Sequence, residues 1–163
     1  VVNGQLVDTV DRAVTSYKVR GLKANTLYTV KIYPVTADGV GEPTTIVFHT
    51  PRTVKISVYF QGDRYKLTKQ SLAKLDALVN SIPAGSTHLK VKIAGRVKKV
   101  GSHYTVGDHV LSRARTQVVR SRLWNLGLRA KVTVRNDPWK NAAKDNYRRT
   151  DIALTYTPPV PNN

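Results

Sequence analysis

The stretch TVKISVYFQGDRYKLTKQSLAKLDALVNSIPAG, Thr53 to Gly85, holds two periodicities with a loop between them. Over Thr53–Phe60 every second residue is apolar, so Val54, Ile56, Val58 and Phe60 share one side, the pattern of a strand with one buried face. After Thr68 the step becomes three and four. Leu72, Leu75, Leu78, Val79 and Ile82 then line one face of a helix. Thr68 has the short hydroxyl side chain of an N-cap, and Pro83 and Gly85 stop the helix. A strand followed at once by an amphipathic helix is the first unit of an alternating fold.

The alternation continues downstream. His88–Ala94 places Leu89, Val91 and Ile93 opposite Lys90 and Lys92, a second strand. A second helix is predicted from about Asp108 to Leu126, with Leu111, Ala114, Val118, Leu123 and Leu126 inward and Gly127 as its C′ residue. Lys131–Arg135 and Asp151–Tyr156 read as two more strands. The order β-α-β-α-β-β over residues 52–157 predicts an α+β two-layer sandwich, helices covering one face of the sheet. Residues 158–163, PPVPNN, form a Pro-rich tail.

Upstream, the period is two. Apolar alternation over Gln5–Val10, Thr15–Val19, Tyr28–Val35 and Thr45–His49, broken by Gly21, Asn25, Gly39 and Pro43, predicts antiparallel strands. Tyr28, Val30, Ile32 and Val35 are assigned to a buried face, and Asp38-Gly39 to a turn whose second residue tolerates positive φ.

Charge divides the chain at the same place. Residues 1–51 carry five basic and four acidic side chains, whereas residues 52–163 carry 22 and 6, a net of +16 without a single glutamate. The break near Pro51 marks a domain boundary, and the basic field favours a polyanionic partner. The whole chain of 163 residues has a net charge of +17 with no cysteine or methionine. A disulfide framework, a thiolate metal site and a cysteine nucleophile are thereby excluded. No apolar run reaches the roughly 18 residues of a membrane span, and VVNGQLVDTV lacks the layout of a signal peptide. With no starting methionine either, the chain is expected to be a processed product or a fragment, any export signal removed or missing.

Catalysis and metal binding find no support. His49, His88, His103 and His109 stand singly without ligand spacing, and adjacent Ser102-His103 lack a Gly-x-Ser-x-Gly elbow. Asp63 and Asp108 flank a loop but pair with no second carboxylate for hydrolysis. No catalytic residue, metal or cofactor is expected. The basic helix RARTQVVRSRLWNLGLRAK, with Arg113, Arg120 and Arg122 outward, is open to phosphates, and Trp124, Trp139, Tyr104 and Tyr147 to stacking on bases or sugars. Without an RNP, KH or zinc-finger signature, a solvated helix face outweighs a nucleic-acid surface.

Two resemblances sharpen this reading. SYKVRGLKANTLYTVKIYPVTADGVGEPTT resembles the E, F and G strands of a fibronectin type III domain, preceded by a C′-like strand near Leu6–Val10. Gly21-Leu22 followed by Tyr28 matches that family's E to F corner, in which the tyrosine hydroxyl bonds back to nearby backbone. The resemblance implies a half β-sandwich over residues 1–51, since the family's A, B and C strands have no counterpart here. A longer protein, or strands donated by a neighbouring copy, is expected to complete it.

Residues 53–157 resemble the OmpA-like peptidoglycan-associating domain. VYFQGDRYKLTKQSLAKLDALV is similar to its first strand, loop and helix, and Gly95 and Gly101 to the glycines of its Gly-His-Thr-Asp-x-x-Gly loop. Leu111-Ser112 with Arg115 is similar to its Leu-Ser-x-x-Arg signature, and Asn146 to Ile152 to the run leading into its last strand. In that family the loop aspartate and the helix arginine hold the zwitterionic end of meso-diaminopimelate. Arg115 is present here, but the aspartate position is Lys98, and Arg96 and Val97 replace the histidine and threonine. The resemblance therefore implies wall attachment with an altered ligand. A doubly anionic group such as phosphate, sulfate or uronate is expected on Arg115, Lys98, Lys99 and Arg96, with Arg148 and Arg149 beside the pocket or at the start of the last strand. The alternative is that these basic residues merely face solvent. The expected protein is non-catalytic and extracellular, at a bacterial cell surface or wall. Its partner is peptidoglycan or an anionic wall polymer, with a filament or layer subunit and a nucleic-acid module as successive alternatives.

Overall fold

Thr68 caps the first helix as its hydroxyl predicts, and the elements on either side fall in the predicted order. The computed structural model describes residues 1–61, 64–97, 106–135 and 149–161. Its first part holds β1 (Leu27–Ile32), β2 (Val35–Thr36), β3 (Gly39–Val40) and β4 (Thr44–His49). The second part runs β5 (Arg52–Tyr59), α1 (Lys69–Asn80), β6 (Thr87–Gly95), α2 (Val106–Asn125), β7 (Lys131–Arg135) and β8 (Arg149–Thr157).

The second part forms one four-stranded sheet in the order β5-β8-β6-β7. β8 is antiparallel to both of its neighbours, while β6 and β7 are parallel, joined through α2. The last strand thus inserts between the first and second. Helices cover one face, where Val58, Val91, Ile93, Ile152, Leu154 and Tyr156 pack with Leu75 and Leu78 of α1 and Val119 and Leu123 of α2. β8 reports the two-sidedness most plainly, since Thr150, Ile152, Leu154 and Tyr156 are buried and the residues between them half-buried.

Both helices end as their sequences suggest. Thr68 Oγ1 accepts the Ser71 N–H at 3.1 Å. Ser71 Oγ, buried, accepts the Tyr59 N–H at 2.7 Å, tying the helix start to the end of β5. At the other end of α2, Gly127 adopts φ +87, its N–H reaching the Trp124 carbonyl and that of Leu128 the Leu123 carbonyl. This is a Schellman closure, and the buried Leu128 packs into the core.

The face that α2 buries differs from expectation. Leu111, Ala114 and Val118 are only half-buried, while Ser112, Arg115, Thr116, Val119 and Leu123 are buried. The cause is close approach at Gly95. A Cβ there would lie 2.8 Å from the main-chain oxygen of Ser112 and 2.8 Å from Thr116 Cγ2. The helix is rotated so that small polar residues meet this glycine, and the most apolar stripe is displaced sideways.

In the first part, β1 and β4 pair antiparallel from Leu27↔His49 to Ile32↔Thr44, with β2 and β3 as a short hairpin beyond them. Gly39 takes φ +128, as the Asp38-Gly39 turn requires. The strands expected over Gln5–Val10 and Thr15–Val19 do not form. A strand's N–H and C=O groups need a neighbouring ladder, and no described strand lies beside residues 6–26, where Leu6, Val7, Val10, Val14 and Tyr17 are exposed. Instead the chain start pairs with β1: Lys31 N–H donates to the Val1 carbonyl and Asn3 N–H to that of Thr29, each at 2.9 Å. Asn3-Gly4, both at positive φ, turn the chain there as a hairpin dipeptide. The buried face of β1 is also smaller than expected: Tyr28 is buried, but Ile32 and Val35 are exposed.

The join between the parts is short and bonded. Thr50 Oγ1 donates to the Lys23 carbonyl at 2.7 Å and accepts the Thr26 N–H at 2.9 Å, and the Asn25 N–H reaches the Pro51 carbonyl at 3.1 Å.

Candidate functional site

Arg115 projects from α2 toward the ends of β5 and β6 and is 1% exposed. Its Nε donates to the Arg64 carbonyl and its Nη1 to the Arg96 carbonyl, both at 3.1 Å. Its guanidinium carbon lies 5.1 Å from the centroid of the Phe60 ring. The planar fork thus ties the loop after β5 to the loop after β6, with an aromatic face against it. Charge-assisted bonds to main-chain oxygens are among the stronger ones a buried arginine makes.

The Arg96 side chain goes elsewhere. Gly95 faces α2, and strand alternation sends residue 96 to the opposite, uncovered side of the sheet. There Arg96 Nε donates to Asp151 Oδ2 at 3.0 Å, and its own N–H donates to the Arg149 carbonyl at 2.9 Å. Arg149 Nε lies 3.0 Å from Asp151 Oδ1, close but not aligned as a hydrogen bond. Ser57 Oγ donates to the same oxygen at 2.7 Å. One carboxylate therefore sits between two guanidinium groups.

Of the six expected ligand residues, three are described. The structure joins Arg96 and Arg149 through Asp151, and joins Arg115 to Arg96 through a main-chain oxygen. It does not aim the three side chains into one pocket. Lys98, Lys99 and Arg148 lie outside the described residues, as do Gly101, Asp63, His103, Tyr104, Trp139 and Tyr147. In the sequence Asp151 is one residue of a strand and nothing more. The signal that would have found it is its parity with Arg149, two residues back on the same face of β8.

The displaced stripe of α2 has its own surroundings. Leu111, Ala114 and Val118 line a groove of about 1050 Å³ with Leu67 and Leu72, and Arg64 and Lys66 stand at its side. Arg113 and Arg120 are exposed, as expected for a solvated basic face. Arg122 instead pairs with Asp76 of α1 at 2.6 Å. Trp124 is exposed, but the Arg129 guanidinium lies 3.8 Å over its ring, so one stacking face is taken. Among the described residues no group of three or more metal-ligating side chains gathers, and no helix is long and apolar enough to cross a membrane.

A mixed sheet with both helices on one face, a glycine at the close helix contact and a buried arginine that ties two loops define an α+β two-layer domain. The OmpA family model matches residues 59–151, more than half of the chain, and the chain belongs to that family. Among solved structures it is similar to the OmpA-like domain of FopA1 from Francisella tularensis, with 19% identity over 82% of this chain and 84% of that one, TM-score 0.49. It is also similar to the peptidoglycan-associated lipoprotein from Burkholderia pseudomallei, with 22% identity over 60% and 88% of the two chains, TM-score 0.45. The periplasmic domain of Helicobacter pylori MotB follows at 11% identity, covering 63% of this chain and 80% of that one, TM-score 0.46. No curated protein matches the sequence significantly.

Proposed function

We propose that this chain is a non-catalytic protein of the bacterial envelope, displayed at the cell surface or in the wall, whose basic domain attaches it to an anionic wall polymer or a modified peptidoglycan. Family membership supports the wall, and charge supports the polymer. The observation that carries the choice is Lys98, which stands where the resemblance places the acid that receives the ammonium of meso-diaminopimelate. An ammonium there repels the ligand's own ammonium. Arg115, already bonded to two carbonyls, acts as an organiser of the loops as much as a ligand. Lys98 and Lys99 add charge to the segment after β6 and Arg148 to the segment before β8, beside Arg96 and Arg149 at the ends of those strands.

The test is retention of the full chain on isolated walls, before and after acid stripping of their anionic polymers. The chain is expected on unstripped walls only, released by high salt, and Lys98→Asp is expected to gain binding to bare diaminopimelate-type peptidoglycan. Equal retention on stripped and unstripped walls in high salt overturns the polymer reading.

A second reading concerns residues 1–51. The Lys23 N–H donates to the Tyr28 hydroxyl at 2.9 Å, the bond that the fibronectin type III corner requires, and Tyr28 stacks on Phe48 with centroids 6.0 Å apart. The β1–β4 hairpin leaves Ile32, Val35, Val40 and Ile46 exposed. We infer that these residues form the F and G part of such a sandwich. Strands from an upstream segment or from a neighbouring copy complete it, the latter making a surface filament or layer. Sedimentation that stays monomeric at high concentration removes the neighbouring-copy version.

A further inference from the structure

The face of the four-stranded sheet that no helix covers is basic along its whole length. Register places its residues in rows. Across β5, β8, β6 and β7 the first row reads Thr53, Thr155, Lys90, Lys131 and the second Lys55, Ala153, Lys92, Thr133. The third reads Ser57, Asp151, Ala94, Arg135, and beyond it stand Tyr59, half-buried, with Arg149 and Arg96. Lys55, Lys90, Lys92, Lys131 and Arg135 are all exposed. Among the described residues seven cations thus share the face with one carboxylate, and that carboxylate is already held between Arg96 and Arg149.

Two features say what this face takes. The residues between the cations in these three rows are small, Ala94, Ala153, Ser57 and three threonines, so the three rows offer neither an aromatic platform for bases nor an apolar wedge for a bilayer. Strand geometry spaces the cations at about 7 Å along a strand and about 5 Å between strands. Lys90 and Lys131 stand directly opposite one another, a like-charge pair that weakens the sheet until a counter-charge lies over it. Lysines act as point charges and set no fixed angle for an incoming oxygen. Such a surface reads charge density along a chain.

We propose that this uncovered sheet face is the docking platform for a flexible linear polymer of phosphate groups, lying across the strands and centred away from the Arg115 loop region, which it meets only at its margin. The proposal rests on the polymer reading above and assigns the polymer a place. Lys90, Lys92 and Lys131 form its centre, and Arg96 and Arg149 its upper margin.

The experiment uses the full chain and long-chain inorganic polyphosphate as probe, with a single-stranded thymidine oligonucleotide of equal charge beside it. Lys90→Gln, Lys92→Gln and Lys131→Gln are combined in one variant, and Arg120→Gln is made separately as a control for charge alone. All three glutamines sit at exposed positions, and circular dichroism checks that the variant is folded. Polyphosphate is expected to bind wild type with a steep salt dependence and to raise its Tm. The triple variant should bind at least about tenfold more weakly at low salt, with a log–log salt slope shallower by about 2, near 0.7 per lost contact. Arg120→Gln, which removes an exposed cation of α2 off the sheet face, should bind polyphosphate within about threefold of wild type. If the triple variant binds as wild type does while unstripped walls still retain the protein, the platform is overturned and the polymer reading stands. If wild type binds neither polyphosphate nor unstripped walls, both fall. Tighter binding of the oligonucleotide than of polyphosphate reassigns the face to nucleic acid and overturns the proposal.

Discussion

Gly95 sets the geometry on which the site depends, and it does so by lacking an atom. Its missing Cβ would collide with the Ser112 carbonyl oxygen, which is main chain and cannot swing aside, and with Ser112 Oγ and Thr116 Cγ2. Gly95→Ala must therefore push α2 away from β6 and stretch the bonds from Arg115 to the Arg64 and Arg96 carbonyls. The expected cost is about 1–3 kcal/mol, the range for overpacking a tight contact. It should appear as a lower Tm with secondary structure retained, and an unchanged Tm would show that α2 has slack at this point. Arg115 belongs to the same scale. Its residue type and its partner signature were visible in the sequence, but its bonds to two carbonyls were not, because main-chain acceptors leave no mark in the side-chain pattern.

At the scale of the element, the start of α1 is a small polar knot. Thr68 caps Ser71, and Ser71 Oγ, buried, accepts both the Thr68 hydroxyl at 2.8 Å and the Tyr59 N–H. Thr68→Ala removes a cap and should cost about 1 kcal/mol. Ser71→Ala also leaves a strand N–H unsatisfied in a dry place and should cost more, about 1–3 kcal/mol. Urea unfolding of the two variants gives the order directly, and a smaller loss for Ser71→Ala would mean that water reaches the Tyr59 N–H. The cap was legible because N-caps depend on neighbours three residues away. The buried face of α2 was not. Periodicity assigns the most apolar stripe to the core, whereas the stripe carrying Ser112, Arg115 and Thr116 faces the sheet because Gly95 admits nothing larger. The strands expected within residues 6–26 failed for a related reason, since alternation shows which residues suit a strand but supplies no neighbour to pair with.

At the scale of the molecule, what the sequence hid was register. Lys90 and Lys92 read locally as the solvent side of one strand, and they are exposed, as are Lys55 and Lys131 on two others. Their sum appears only when β8 inserts between β5 and β6 and brings Lys55 and Lys92 to either side of Ala153. The net charge was plain in the composition, and its concentration on one face was not. A global consequence follows that separates self-repulsion from ion pairing. A chain of net charge +17 repels itself, and salt shortens the reach of that repulsion from about 10 Å at 0.1 M to about 3 Å at 1 M. The ion pairs of the described residues, Arg96–Asp151, Arg149–Asp151 and Arg122–Asp76, are partly exposed, so their screening should lose little. Raising salt from 0.05 to about 0.5 M is therefore expected to raise the Tm of the free protein by several degrees, while the increment added by polyphosphate shrinks over the same range. The two trends have opposite signs because the same lysines repel one another in the free protein and attract the polymer in the complex. A Tm that falls with salt in the free protein would show that the ion pairs outweigh the repulsion, and would remove the strained like-charge row from the case for the sheet face.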